Sequence, residues 1–112
     1  MRFDGPGERL EGAYIGRDLA GVGGLTLEPT VLGALRVRRF YVRAAWRRAG
    51  VGRLLARSLV LRASNIAELL TVNAQAPSFP FWESIGFMPL AAEGLTHTHV
   101  RTFPPRGPLA PS

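Results

Sequence analysis

The chain has 112 residues, 46% of them hydrophobic, which suits one globular domain with a modest core. It contains neither cysteine nor lysine, which excludes disulfides, thiolate metal sites, cysteine nucleophiles, Schiff-base lysines and the lysine of a Walker loop. The formal charge is +6, all fourteen basic residues are arginine, nine of them lie between residues 36 and 62, and no acidic residue stands between Glu28 and Glu68, so the positive field is concentrated and expects an anionic partner.

In chain order, residues 11–16 and 19–28 are apolar-rich and flank Arg17-Asp18, the pattern of a short antiparallel hairpin. Gly21, Gly23 and Gly24 weaken its second strand and predict a bulge or a close backbone approach rather than a ligand contact. After a turn at residues 28–30, residues 35–42 alternate as a strand. Leu35, Val37, Arg39 and Tyr41 are predicted on one face and Arg36, Arg38, Phe40 and Val42 on the other. The period changes near Gly50 to that of an amphipathic helix reaching about Ser64, with Val51, Leu54, Leu55, Ser58 and Leu59 on its helical repeat and Arg53 and Arg57 on an outer flank. A short buried strand at residues 69–73 follows, then a second helix over 77–85, with Pro80 in its first turns and Gly86 as its stop. Residues 87–90 and 97–103 read as closing strands, and residues 104–112, with four prolines, as a flexible tail. The organisation is a single domain over 1–112 with its core at 11–103. No apolar run approaches the roughly 20 residues that span a bilayer, and the first residues lack the apolar centre of a signal peptide, so no membrane partner and a cytoplasmic location are expected.

The most informative stretch is Arg47-Arg48-Ala49-Gly50-Val51-Gly52-Arg53, where a strand gives way to a helix across a basic, glycine-bearing turn. The first amides of a helix have no intrahelical partner and its dipole favours negative charge there; two glycines remove side chains that would hold a phosphate at a distance. The order of strand, basic glycine turn, helix, strand, helix and Gly-Phe resembles the GNAT superfamily of N-acetyltransferases. Arg47-Arg48-Ala49-Gly50-Val51-Gly52 matches the family's Q/R-x-x-G-x-G/A pyrophosphate loop directly after the strand Arg38-Arg39-Phe40-Tyr41-Val42. Leu70-Thr71-Val72-Asn73-Ala74-Gln75 followed by Phe81-Trp82-Glu83-Ser84-Ile85-Gly86-Phe87 resembles the family's late strand and F-Y-x-x-x-G-F segment.

The resemblance implies an α/β (α+β) fold with a mostly antiparallel sheet, a central splayed parallel strand pair and flanking helices. It also implies acetyl-CoA as co-substrate, held by Phe40, Tyr41, Val42, Arg47, Arg48, Ala49, Gly50, Val51, Gly52, Arg53, Asn73, Gln75 and Trp82, with direct transfer to an amine acceptor and no metal. Many members have a tyrosine where Trp82 stands, and an indole does not titrate usefully, so packing beside the pantetheine is the better reading of Trp82. Arg36 fills the position where some members carry a carboxylate base, which leaves Glu28, His97 and His99 as candidate bases, or solvent. The two histidines are expected on one exposed strand face and, without cysteines or a carboxylate cluster, make a poor metal site.

The family usually has a first strand and one or two helices ahead of the hairpin, where acceptor specificity resides, and about ten residues precede it here. That implies a shortened form, an acceptor wall completed by another chain, or a domain that binds CoA with little transfer; an uncovered apolar edge would suit a homodimer. A dinucleotide fingerprint is disfavoured because Leu55 stands where its third glycine belongs. A nucleic-acid module would use the arginines with Phe40, Tyr41 and Trp46 as stacking platforms, and ranks third.

Overall fold

The computed structural model describes residues 9–29, 31–90 and 97–104. Strands β1 (Arg9–Ile15) and β2 (Asp18–Leu27) form the predicted hairpin, turning at Gly16 with φ 61°. Next come β3 (Ala34–Val42), helix α1 (Val51–Ser64), β4 (Leu69–Val72), helix α2 (Phe79–Ser84), β5 (Met88–Pro89) and β6 (His99–Thr102). The described strands make a mixed sheet of order β1-β2-β3-β4-β6-β5, in which only β3 and β4 run parallel. A parallel pair needs a crossover, and α1 supplies it. Residues 105–112, the predicted tail beyond Pro104, lie outside the described residues.

Alternation along the strands sorts the sheet into an apolar and a polar face. Leu25, Leu35, Val37, Leu70 and Val72 pack with Ala56, Leu59 and Ala63 of α1, and with Trp82, Phe87 and Phe103, in one buried cluster. Each fully buried leucine among them contributes about 1.5–3 kcal/mol relative to exposure. The buried stripe of α1 is Val51, Leu55, Ala56, Leu59 and Ala63. Leu54, read from the sequence as part of that stripe, is exposed instead, because it sits a full residue off the arc that Leu55 and Leu59 define.

The predicted faces of β3 hold only as far as Arg38. Arg39 adopts φ 56°, and the β2–β3 pairing slips between Val22↔Tyr41 and Gly24↔Arg38, so Gly23 opposes two residues. This bulge inverts the alternation: Phe40, rather than Arg39, packs against the core cluster, and Arg39 and Tyr41 are exposed. Gly23 makes it possible, since a Cβ there would meet Leu59 Cδ1 at 2.8 Å and Phe40 Cδ2 at 3.1 Å.

The β3–β4 pairing covers Ala34↔Leu69 to Val37↔Val72 and then stops. β3 continues to Val42, while the chain after β4 turns the other way: Thr98 donates its N–H to the Val72 carbonyl at 3.0 Å, and its hydroxyl accepts the Ala74 N–H at 3.0 Å. The two strands therefore diverge as a fork. The diverging arm passes through a 3₁₀ turn (Ala76–Ser78) into α2, which starts two residues later than predicted and is stopped, as predicted, at Gly86 with φ 99°.

Gly21 pins β2 against the long arm of this fork, since a Cβ there would lie 2.9 Å from the Tyr41 carbonyl oxygen, a backbone atom unable to rotate aside. Gly21→Ala is expected to destabilise the protein by about 1–3 kcal/mol in urea denaturation, as overpacking does elsewhere; an unchanged midpoint would contradict this account of the pairing.

Candidate functional site

The fork opens into a cleft of about 810 Å³. Phe40, Tyr41 and Val42 form one wall, Gln75 and Trp82 belong to the other, and Arg47, Arg48, Gly50, Gly52 and Arg53 lie at its base. Ser78 and Phe81, which sequence reasoning did not single out, also line it. The signal for them was present: residues 78, 81 and 82 share one face of a helix once Trp82 is placed. Three residues of the predicted set do not line the cleft. Ala49 is exposed on the turn, Val51 sends its side chain into the core, and Asn73 is exposed on the diverging arm. Ala49 and Val51 can meet a ligand only through their main chain.

The base of the cleft is backbone by construction. A 3₁₀ turn at Ala44–Trp46 leads to Arg48 with φ 68° and to Gly50 with φ 83°, a left-handed N-cap that makes no side-chain capping bond. The first bond of α1 runs from the Leu54 N–H to the Gly50 carbonyl at 3.1 Å, so the amides of Val51, Gly52 and Arg53 precede the ladder. No acidic residue occupies the first turn. A Cβ on Gly50 would meet no atom within 4 Å, so its glycine serves the backbone angle and leaves open space in front of those amides. Gly52 sits closer to its surroundings: a Cβ there would lie 3.4 Å from Val42 Cγ2 and 3.6 Å from Phe81, ordinary van der Waals contact with both walls.

Two of the arginines are anchored. Arg47 Nε donates to the Val42 carbonyl at 3.0 Å with its guanidinium 5.5 Å from the Tyr41 ring centroid, and Arg53 Nη2 donates to Ser84 Oγ at 3.2 Å. Their charge is thereby fixed at the rim. Trp82 is buried and meets Phe40, Phe81 and Phe87 edge-on or nearly so at ring separations of 4.9, 5.0 and 5.3 Å. It holds the fork's two walls and α2 together.

Glu28 does not line the cleft. It follows β2, and its buried carboxylate accepts from Thr71 Oγ1 at 3.2 Å and lies 3.1 Å from His97 Nδ1. Both histidines are buried, contrary to their expected exposure, and they do not share a strand face: His97 precedes β6 and His99 begins it. His99 bridges Glu83 Oε2 at 2.8 Å and Thr98 Oγ1 at 2.9 Å and stacks 4.6 Å from Phe79. Each ring finds a carboxylate, which offsets the cost of taking a polar ring from water. No sequence spacing announces partners 16 and 69 residues away. Among the described residues no group of three or more side chains could hold a metal ion.

The fold has counterparts among known proteins. The family model of the acetyltransferase (GNAT) domain matches residues 2–104. The chain belongs to the GNAT acetyltransferase family. A protein of Exiguobacterium sp. 255-15 classed as an acetyltransferase superimposes with a TM-score of 0.81 at 23% identity, over 89% of this chain and 66% of that one. Escherichia coli ElaA follows at 0.70 and 20%, over 84% and 68%. A GNAT acetyltransferase of Elizabethkingia anophelis with acetyl-CoA bound gives 0.67 and 16%, over 87% and 77%. This GNAT domain thus spans about two thirds of the length of the first two, and at these identities the likeness is one of fold. No curated protein matches the sequence.

If Trp82 is the packing centre of the GNAT fork, Trp82→Ala should cost about 3–5 kcal/mol in thermal or chemical denaturation. Trp82→Phe, which keeps a ring against Phe40 and Phe87, should cost markedly less; equal losses would argue against the packing role.

Proposed function

We propose that this chain is an acetyl-CoA-dependent N-acetyltransferase that transfers the acetyl group directly to an amine. The observation that carries the reading is the coincidence of the fork with the unpartnered amides of α1 in one cleft. Acetyl-CoA, when bound, supplies an activated acyl group on a thiolate leaving group. The residues fit it: the amides of Val51, Gly52 and Arg53 would hold the diphosphate, with Arg47, Arg48 and Arg53 offsetting its charge. The main chain of Phe40–Val42, unpaired by β4, would bond the pantetheine amides as an added strand would. Phe81 and Trp82 would exclude water from that arm.

Proton handling falls to other groups. Trp82 donates a hydrogen bond but does not titrate usefully, so the departing thiolate takes its proton from elsewhere. Glu28, with His97 against it, is the candidate base for the incoming amine, since the pair rests on Thr71, one residue short of the end of β3–β4 pairing. The absence of a titrating phenol at Trp82 favours a second reading, a CoA-binding domain with slow transfer. The nucleic-acid reading loses support from the anchoring of Arg47 and Arg53 on Val42 and Ser84.

Calorimetry of CoA binding to the wild type and to Gly50→Glu tests the site, because the carboxylate would enter the space in front of the amides. The variant is expected to bind at least about tenfold more weakly, about 1.4 kcal/mol. Equal affinities would remove the assignment. Acetyl transfer over an amine panel then separates an active enzyme from a slow one.

A further inference from the structure

The diverging arm of the fork is held by two consecutive residues that do not themselves line the cleft, Thr98 and His99. Thr98 Oγ1 accepts the Ala74 N–H at 3.0 Å, donates to the Val72 carbonyl at 3.3 Å and lies 2.9 Å from His99 Nδ1. His99 Nε2 lies 2.8 Å from Glu83 Oε2, and its ring packs 4.6 Å from that of Phe79. Three of these points of attachment adjoin, in sequence, a residue that lines the cleft: Ala74 precedes Gln75, Phe79 follows Ser78, and Glu83 follows Trp82. None of the bonds reaches the opposite wall, Phe40, Tyr41 and Val42. The pair Thr98-His99 therefore fixes one wall of the cleft and leaves the other to β3.

The protons in this network are limited. A hydroxyl carries one, so Thr98 cannot donate to Val72 and to His99 at once. While it donates to Val72, the contact with Nδ1 is a hydrogen bond only if the ring nitrogen carries the proton. The Glu83 carboxylate, an acceptor when ionised, calls for a proton on Nε2 as well. With both nitrogens protonated every contact is a bond, and Glu83 supplies the opposite charge. With one proton gone, the ring keeps Nε2–H on Glu83 and offers Nδ1 as an acceptor, so the Thr98 hydroxyl turns from Val72 to the ring. What one imidazole nitrogen meets sets the state of the other. His99 is buried, at 1% exposure, whereas the Glu83 side chain is 44% exposed and stands at the watered end of the chain of bonds.

We infer that Glu83, His99 and Thr98 form a positioning relay for the CoA cleft: the carboxylate on α2 sets the state of His99, His99 sets which way the Thr98 hydroxyl points, and that sets where the diverging arm stands relative to β3. The inference deepens the acetyltransferase reading above and rests on it for the identity of the ligand. The three side chains act through Ala74 and α2, and none of them touches the ligand.

The test is a double-mutant cycle on the full chain, Glu83→Ala and Thr98→Val singly and together, read by calorimetry of CoA binding and by the amide proton shift of Ala74. Glu83→Ala is expected to weaken CoA binding about fivefold, the size of a coupling within one hydrogen-bond network, and to shift the Ala74 amide. In the Thr98→Val background the same substitution should change neither, because the link between them is gone. In Thr98→Ser, which keeps the hydroxyl, the effect of Glu83→Ala should return. Additive effects in the cycle, a Glu83→Ala protein with wild-type CoA affinity, or a Thr98→Ser protein that behaves as Thr98→Val would overturn the inference. Should Thr98→Val fail to fold, ¹⁵N spectra of the His99 ring decide: a change of tautomer or charge in Glu83→Ala that the Ala74 amide follows supports the relay, and an unchanged ring refutes it. Absence of CoA binding by the wild type would strike the acetyltransferase reading alone. The relay would then be judged in the free protein, where coupling of Glu83 to the Ala74 amide upholds it and no coupling refutes it.

Discussion

Everything in this structure that bears on function follows from a pairing that ends early. β4 bonds β3 over four residues, and Thr98 then holds the continuation of β4 through Val72 and Ala74. Had Asn73 and Ala74 stayed in register with Arg38 and Arg39, the sheet would be closed and the first turn of α1 would face a paired strand. Because the strands part, the main chain of Phe40–Val42, the aromatic wall of α2 and the N-terminus of α1 converge on one cleft. The fork is kept open by packing, with Trp82 and Phe81 against Phe40.

The two faces of the sheet divide the work. One is apolar and carries α1, whose burial stabilises the fold and whose dipole is aimed at the cleft. The other holds Thr26, Glu28, Arg36 and Thr71; Thr71 donates to Glu28, which also meets His97, and Arg36 keeps a buried Nε without a hydrogen-bond partner. The bulge at Arg39 matters to this division, because it returns Phe40 to the apolar side just where the cleft begins and turns Arg39 outward.

Much of this was legible in the sequence. The hairpin, the helix from Gly50 to Ser64, the short strand before Asn73 and the stop at Gly86 all follow from local periodicity and glycine chemistry, which depend on near neighbours. The glycine turn announced the bare helix start for the same reason. What escaped was non-local. The inversion at Arg39 depends on Gly23 in another strand, and nothing in the run Arg36 to Val42 reports a slipped register. The burial of His97 and His99 depends on Glu28 and Glu83, brought near only by the fold, and composition alone made both histidines look like surface residues. Likewise, Arg36 read as a departure from a family position rather than as a donor lacking a partner.

The central claim is that main-chain amides at the start of α1 grip the diphosphate of CoA at the mouth of the fork. Its most direct test is a titration of ¹⁵N-labelled protein with CoA, followed by ¹H–¹⁵N correlation spectra. The account predicts that the amide protons of Val51, Gly52 and Arg53 move downfield and gain protection from exchange, with smaller changes at Phe40–Val42. Saturable binding that leaves those three amides unmoved would contradict it.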